Sequence, residues 1–311
     1  MKLANTVIAG VNKAGTTGLY VALASHRQVA SSAVKETKFF LPLRYGQPLP
    51  PIAEYAGYFE GASDEPVRLE ATPAYFYGGE PLARGMHDAL GDPRVIVVLR
   101  EPVSRFVSFF EYQKVRLRIP ESMTIEEYLA IADRLDRAEF ADPENEKYFA
   151  FFGGCYADDL PAWLQTYGDR LRIVFLDDMV ADPQRTLRQL ATWLEIDPDG
   201  YTIERTDAEN KTVAYKNRGL QRVALFMNDR SERFLRRHHG LKQRLRALYF
   251  RFNGKAGKAA VDDTVLAELA TRYREPNERL AAQLVAAGIA LPPWLQPAGS
   301  DAGTRASSPV R

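Results

Sequence analysis

Apolar positions along the chain gather into short runs separated by stretches of helical period. Arg94 to Leu99 (RVIVVL) is an unbroken, mostly β-branched run, the pattern of a strand covered on both faces of a parallel sheet. Leu171 to Leu176 (LRIVFL) is a second run of this kind. Thr6 to Val11 is a shorter β-type run around Gly10, and Val67 to Glu70 is a strand candidate that stops before Thr72-Pro73. Between them the period lengthens. Thr17 to Ser25 is helix-like, and after Pro102 the apolar positions Val103, Phe106, Val107 and Phe110 recur at helical spacing. Further helices are predicted over Thr124 to Arg137 and Asp158 to Tyr167, and Asp182-Pro183 starts one that runs to about Glu195. Pro and Gly punctuate residues 42–66, which read as loops. Strands alternating with helices predict an α/β fold with a mainly parallel central sheet. Residues 297–311, rich in Pro, Ser, Gly and Ala, predict a disordered tail beyond a single domain over 1–296.

Composition changes this picture little. The 311 residues are 46% hydrophobic and 26% charged, which excludes disordered, collagen-like and coiled-coil descriptions of the whole chain. Cys155 stands alone, so neither an intramolecular disulfide nor a Cys-based zinc cluster is available. No run approaches the ~18 apolar residues of a membrane span, and the run at 6–11 is too short for a signal-peptide core. A cytoplasmic enzyme is therefore expected.

Charge adds one feature. Lys and Arg total 41 against 40 Asp and Glu, yet residues 216–258 hold 13 basic residues and only two acids, Asp229 and Glu232. Apolar residues such as Phe234, Leu241, Tyr249 and Phe252 are interleaved with them. This basic helical segment reads either as a solvated face with snorkelling stems or as a surface for an anionic acceptor or a membrane. No recognised motif accompanies it, so nucleic acid is not an expected partner.

Two segments carry candidate chemistry. Gly10-Val11-Asn12-Lys13-Ala14-Gly15-Thr16-Thr17-Gly18 is a strand-to-helix turn that aims backbone N–H groups and a helix N-terminus at an anion. It is not a Walker A loop: Thr16 stands where that motif has its Lys, and Lys13 precedes Gly15 instead. Arg100 lies at the carboxyl end of a buried strand, where open α/β sheets place ligands. Ser108 follows about two helical turns later, so the pair offers a forked donor and a hydroxyl to one phosphate. None of the four histidines, His26, His87, His238 and His239, is well placed as a catalytic base.

The Lys13 loop resembles the 5′-phosphosulfate loop of sulfotransferases that use 3′-phosphoadenosine 5′-phosphosulfate (PAPS). The Arg-x-Pro-x-x-Arg-x-x-Ser pattern from Arg100 to Ser108 resembles their 3′-phosphate motif. Within that superfamily the chain is most similar to the heparan-sulfate type. Lys35-Glu36-Thr37-Lys38-Phe39-Phe40 resembles its Lys-Glu-x-His-Phe-Phe segment, and Glu70-Ala71-Thr72-Pro73-Ala74-Tyr75-Phe76 its Glu-Lys-Thr-Pro-Ala-Tyr-Phe segment. Gly154-Cys155-Tyr156 with Leu160, Trp163 and Leu164 is similar to a further stretch, so the likeness runs in order over about residues 5–195. Ala71 departs from the family's Lys, and the family's C-terminal basic loop has no clear copy.

The resemblance implies a P-loop-like three-layer fold and transfer of a sulfuryl group from PAPS to a carbohydrate, glycolipid or natural-product hydroxyl, less readily an amine, with PAP as product. Lys13, with Ala14, Gly15, Thr16, Thr17 and Gly18, would hold the 5′-phosphosulfate, and Arg100 and Ser108 the 3′-phosphate. Lys216 and Arg218 offer a substitute for the basic loop. Glu36 is the candidate general base, set against a plain ion pair with Lys35 or Lys38. Lys38, Glu70, Thr72, Pro73 and Tyr75 are candidates for the acceptor pocket, and no metal is required. Golgi relatives carry a membrane anchor, so a cytoplasmic chain points to a bacterial member. Two rivals stay open. Arg172 to Asp178 resembles a Walker B strand of a P-loop kinase, and the basic segment alone would suit a non-catalytic membrane- or polyanion-binding module.

Overall fold

The computed structural model describes residues 1–201, 214–215, 254–255 and 261–296. Strands β1 (Thr6–Gly10), β2 (Val29–Ser31), β3 (Val67–Ala71), β4 (Arg94–Leu99) and β5 (Leu171–Phe175) form one sheet in the order β2-β3-β1-β4-β5. Every neighbouring pair is parallel, with Thr6 opposite Leu69 on one side and Arg94 on the other. The chain lays β2 and β3 on one side of β1 and then crosses to build β4 and β5 on the other. Ligands of open α/β sheets bind beyond the carboxyl ends of strands at such a crossing, and here those ends are Gly10 of β1 and Leu99 of β4.

Helices cover the sheet. They are α1 (Thr16–Ala24), α2 (Leu41–Arg44), α3 (Ile52–Ala56), α4 (Gly79–Leu90), α5 (Pro102–Val115), α6 (Ile125–Ala132) and α7 (Leu160–Tyr167). Then come α8 (Leu176–Ala181), α9 (Pro183–Leu194), α10 (Asp263–Arg272) and α11 (Arg274–Ala286). A two-residue antiparallel pair, β6 (Ala214–Tyr215) with β7 (Gly254–Lys255), stands apart from the main sheet. The rest of the basic segment 216–258 and the tail 297–311 lie outside the described residues.

Burial explains why β4 was so legible. Val95 through Leu99 are all 0% exposed, and removing each such side chain from water contributes roughly 1.5–3 kcal/mol. A second apolar cluster joins Phe106 and Phe110 of α5, Tyr128 of α6, and Leu269 and Tyr273 at the end of α10. Tyr273 donates its hydroxyl to the Phe151 carbonyl at 3.0 Å, tying the last helices to the 149–158 loop.

Several boundaries differ from the sequence expectation, each for a local reason. The fifth strand stops at Phe175, because Leu176 opens α8 and packs its side chain toward Gly15. The helix expected to reach Arg137 ends at Ala132, and Asp136 caps a separate 3-10 turn with Glu139. Residues 42–66, read as loops, contain α3 and all but the first residue of α2. Both helices are only four or five residues long, below the length at which periodicity is visible.

Gly10 is where the backbone turns off the sheet. A Cβ there would lie 2.7 Å from Phe76 Cβ and 3.3 Å from Val97 Cγ1, both in the packed core. Gly10→Ala is expected to destabilise the fold by about 1–3 kcal/mol, the usual cost of overpacking. A denaturant midpoint unchanged from the parent would contradict that tight approach.

Candidate active site

The turn leaving β1 builds an anion cradle. Val11 N–H is bonded to Val98 O at 3.0 Å, so the turn is pinned to β4 at its start. Lys13 then takes φ 72° and Gly15 φ 85°, two left-handed residues that reverse the chain into α1. Gly15 is the N-cap of α1; among the described residues no side chain accepts from the first-turn amides, and no acid is present in that turn. A helix begun in this way points its orphan N–H groups and the positive end of its dipole outward. Thr16, Thr17 and Gly18 form that first turn, while Ala14 is fully buried beneath it.

The next turn is built differently. Glu101 caps α5, and its carboxylate accepts from the N–H groups of Val103 at 2.8 Å and Ser104 at 2.6 Å. Those amides are therefore occupied, and any anion contact from α5 must come from side chains. Arg100 donates to the Lys13 carbonyl at 3.1 Å, which places its guanidinium against the cradle, and Tyr156 holds the Arg100 carbonyl at 2.7 Å. Burial lowers the Arg100 pKa from its ordinary value, and the nearby Tyr156, Glu101 and Asp177 oppose the shift. Ser108 is half-buried on α5, four residues before Tyr112 and so on the same helix face.

Tyr112 is a residue that sequence reasoning missed. Its ring lies under the Lys13 ammonium, 4.5 Å from nitrogen to centroid, in a cation–π contact that fixes where the charge sits. Burial raises the Tyr112 phenol above its ordinary pKa, Arg116 opposes the rise and Glu36 adds to it. Glu36 also pairs with Lys35 at 3.4 Å. Its side chain is 36% exposed, so that ion pair does not bury it.

Arg105 was also missed, although it sits within the Arg100–Ser108 pattern. It is 0% exposed, donates Nε to Asn12 O at 3.1 Å and an Nη to Ala150 O at 2.8 Å, and thereby clamps the cradle to the 149–154 loop. The signal was available: on α5 a charge falls beside Phe106 and Phe109 on the apolar face. Its remaining nitrogen is buried with no hydrogen-bond partner among the described residues.

The other candidates divide. Lys38 is exposed, with φ 60°. Pro73 is buried, and Glu70, Thr72 and Tyr75 are 0% exposed, with hydrogen bonds joining all three to residues of the 37–40 segment that follows Glu36. Lys216 and Arg218 lie outside the described residues. Asp177, the residue that suggested a Walker B acid, is in the first turn of α8 and accepts from Trp294 Nε1 at 3.2 Å. Cys155 is buried, which pushes its thiol up to about 12 and leaves it inert as a nucleophile.

A five-stranded parallel α/β sheet with a helix N-terminus at its strand ends is the P-loop-like fold class. The sulfotransferase domain family matches residues 3–245, and the chain belongs to that family. It is 23% identical over 265 residues to a bifunctional heparan sulfate N-deacetylase/N-sulfotransferase of Drosophila melanogaster, covering 75% of this chain and 24% of that protein. It is 29% identical over 194 residues to human heparan sulfate glucosamine 3-O-sulfotransferase 3B1, covering 62% and 46% respectively. The chain therefore spans a quarter to less than half of the length of these relatives. Among solved structures, a sulfotransferase from Alicyclobacillus acidocaldarius shares the fold at TM-score 0.57 and 20% identity, over 76% of this chain and 95% of that one.

Proposed function

We propose that this protein transfers the sulfuryl group of PAPS to a hydroxyl of a carbohydrate-type acceptor and releases PAP. The observation that carries this reading is the uncapped N-terminus of α1, with Lys13 and Arg100 beside it and the neighbouring α5 amides already occupied by Glu101. The residues present fit a donor with two anionic ends. Lys13 and the first-turn amides of α1 suit the 5′-phosphosulfate, and Arg100 and Ser108 suit the 3′-phosphate. Family membership supports the same reading, and the relatives named for heparan sulfate favour a sugar acceptor over other hydroxyls.

When bound, PAPS supplies an electrophilic sulfur and a phosphate leaving group. The chain's own work is then positioning and charge stabilisation. Lys13, steadied on the Tyr112 ring, meets the negative charge that grows on the leaving phosphate oxygen. Glu36 takes the proton of the attacking hydroxyl. Arg105 keeps the Asn12 carbonyl in place and so holds the shape of the cradle.

Calorimetric titration tests the donor site. PAP is expected to bind without Mg²⁺, and Arg100→Ala to weaken it by about 10–100-fold, the loss of a charge-assisted pair. Mg²⁺-dependent binding of ADP with no preference for PAP would replace this reading with that of a kinase.

A further inference from the structure

Glu70 lies at the centre of a hydroxyl cluster. Its Oε1 accepts from Thr37 Oγ1 at 2.7 Å, Thr72 Oγ1 at 2.7 Å and Tyr75 OH at 3.0 Å, and its Oε2 accepts from Tyr55 OH at 2.8 Å. Burial pushes the carboxyl pKa up, and these four donors pull it back by favouring the charged form. Each hydroxyl has one proton to give. Having given it to Glu70, each can only accept from its backbone neighbours, and Thr37 Oγ1 and Tyr75 OH, 3.1 Å apart, converge on the same carboxylate oxygen.

Those neighbours are three consecutive backbone amides. Lys38 N–H donates to Thr72 Oγ1 at 3.2 Å, Phe39 N–H to Thr37 Oγ1 at 3.3 Å and Phe40 N–H to Tyr75 OH at 3.3 Å. One carboxylate oxygen thus sets the direction of three hydroxyls, and these seat the segment that directly follows Glu36. The segment needs such support, since Lys38 is held at φ 60°, a conformation that costs a non-glycine residue of order 1–3 kcal/mol.

We infer that Glu70 is a positioning residue for sulfuryl transfer, which acts through Thr37, Thr72 and Tyr75 to fix the loop that carries Glu36 and Lys38. This rests on the transfer activity proposed above. Glu70 touches neither donor nor acceptor, and its contribution is to the placement of the base.

The test compares the full-length protein with Glu70→Gln, which keeps size and shape, and with Glu70→Leu. Activity is read with PAPS as donor and desulfated heparin as acceptor, PAP affinity by calorimetry, and the amides of Lys38, Phe39 and Phe40 by hydrogen exchange. Glu70→Gln is expected to lower kcat about tenfold or more, because a small misplacement of a catalytic group is costly. PAP Kd and the KM for PAPS should stay within twofold, and the three amides should exchange faster. Glu70→Leu should fall further where it folds; Glu70→Gln decides the matter where it does not. A kcat within twofold of the parent with the amides still protected overturns the inference. So does a parallel loss of kcat and PAP affinity, which would make Glu70 a general support of the fold. If the parent itself transfers nothing, the activity reading fails, and the exchange data alone then decide: faster exchange upholds the positioning role and unchanged exchange overturns it.

Discussion

Lys13→Ala is expected to lower kcat by about 10²–10³-fold, the range seen when one preorganised donor to developing negative charge is removed. The argument begins with the backbone. Lys13 occupies φ 72°, where a side chain is strained, yet the cradle keeps a lysine and not a glycine at this point. The Tyr112 ring beneath its ammonium then limits where the charge can go. A cation held in advance meets charge that grows in the transition state without reorganising, and this is how such a group accelerates transfer. Ground-state binding depends less on it, because the α1 amides and Arg100 remain, so PAP affinity should fall only about tenfold. Lys13→Gly separates charge from backbone. It removes the same ammonium but relieves the left-handed strain, so it should melt higher than Lys13→Ala while being equally slow. Single-turnover transfer with saturating PAPS reads the chemistry directly. A rate within fivefold of the parent in both variants would take Lys13 out of the mechanism.

The parts of this molecule that could be read from sequence are those where a single physical demand dominates. β4 needed apolar side chains on both faces, and from Val95 to Leu99 it shows nothing else. The cradle needed residues that tolerate a sharp reversal into a helix, and Lys13-Ala14-Gly15-Thr16 carried that signal. Where two demands compete, the sequence was silent or misleading. Tyr112 resembles any aromatic of an amphipathic helix, and only the fold shows Lys13 resting on it. Arg105 breaks the apolar pattern of α5, but its partners, Asn12 and Ala150, are 93 and 45 residues away. Glu70, Thr72 and Tyr75 are acceptor-pocket candidates by resemblance alone, and no pattern in the sequence shows how they contact one another. In the fold they bond to one another, and their burial is tolerable because every hydroxyl finds the same carboxylate. β2, with three residues at the sheet edge, and α4, whose apolar face is only Leu82, Ala83 and Met86, were too short or too mixed to be read.

Glu36→Gln is expected to lower kcat by about 10²–10⁴-fold, the contribution of a positioned general base, with PAP affinity unchanged. Glutamine keeps the length and hydrogen-bonding reach of the side chain and removes only its ability to take a proton. Two roles for Glu36 predict different results. As a partner of Lys35 it contributes little, since the pair is 3.4 Å apart with the carboxylate partly in solvent, and such pairs are worth about 0–1 kcal/mol. Its loss would then shift the melting temperature slightly and leave turnover alone. As the base it would leave stability and donor binding alone and stop turnover. The surroundings favour the second role. The loop after Glu36 is seated by three amide-to-hydroxyl bonds, far more support than a surface ion pair requires. Transfer by Glu36→Gln at the parent's rate, with the fold intact, would show that the proton leaves by another route.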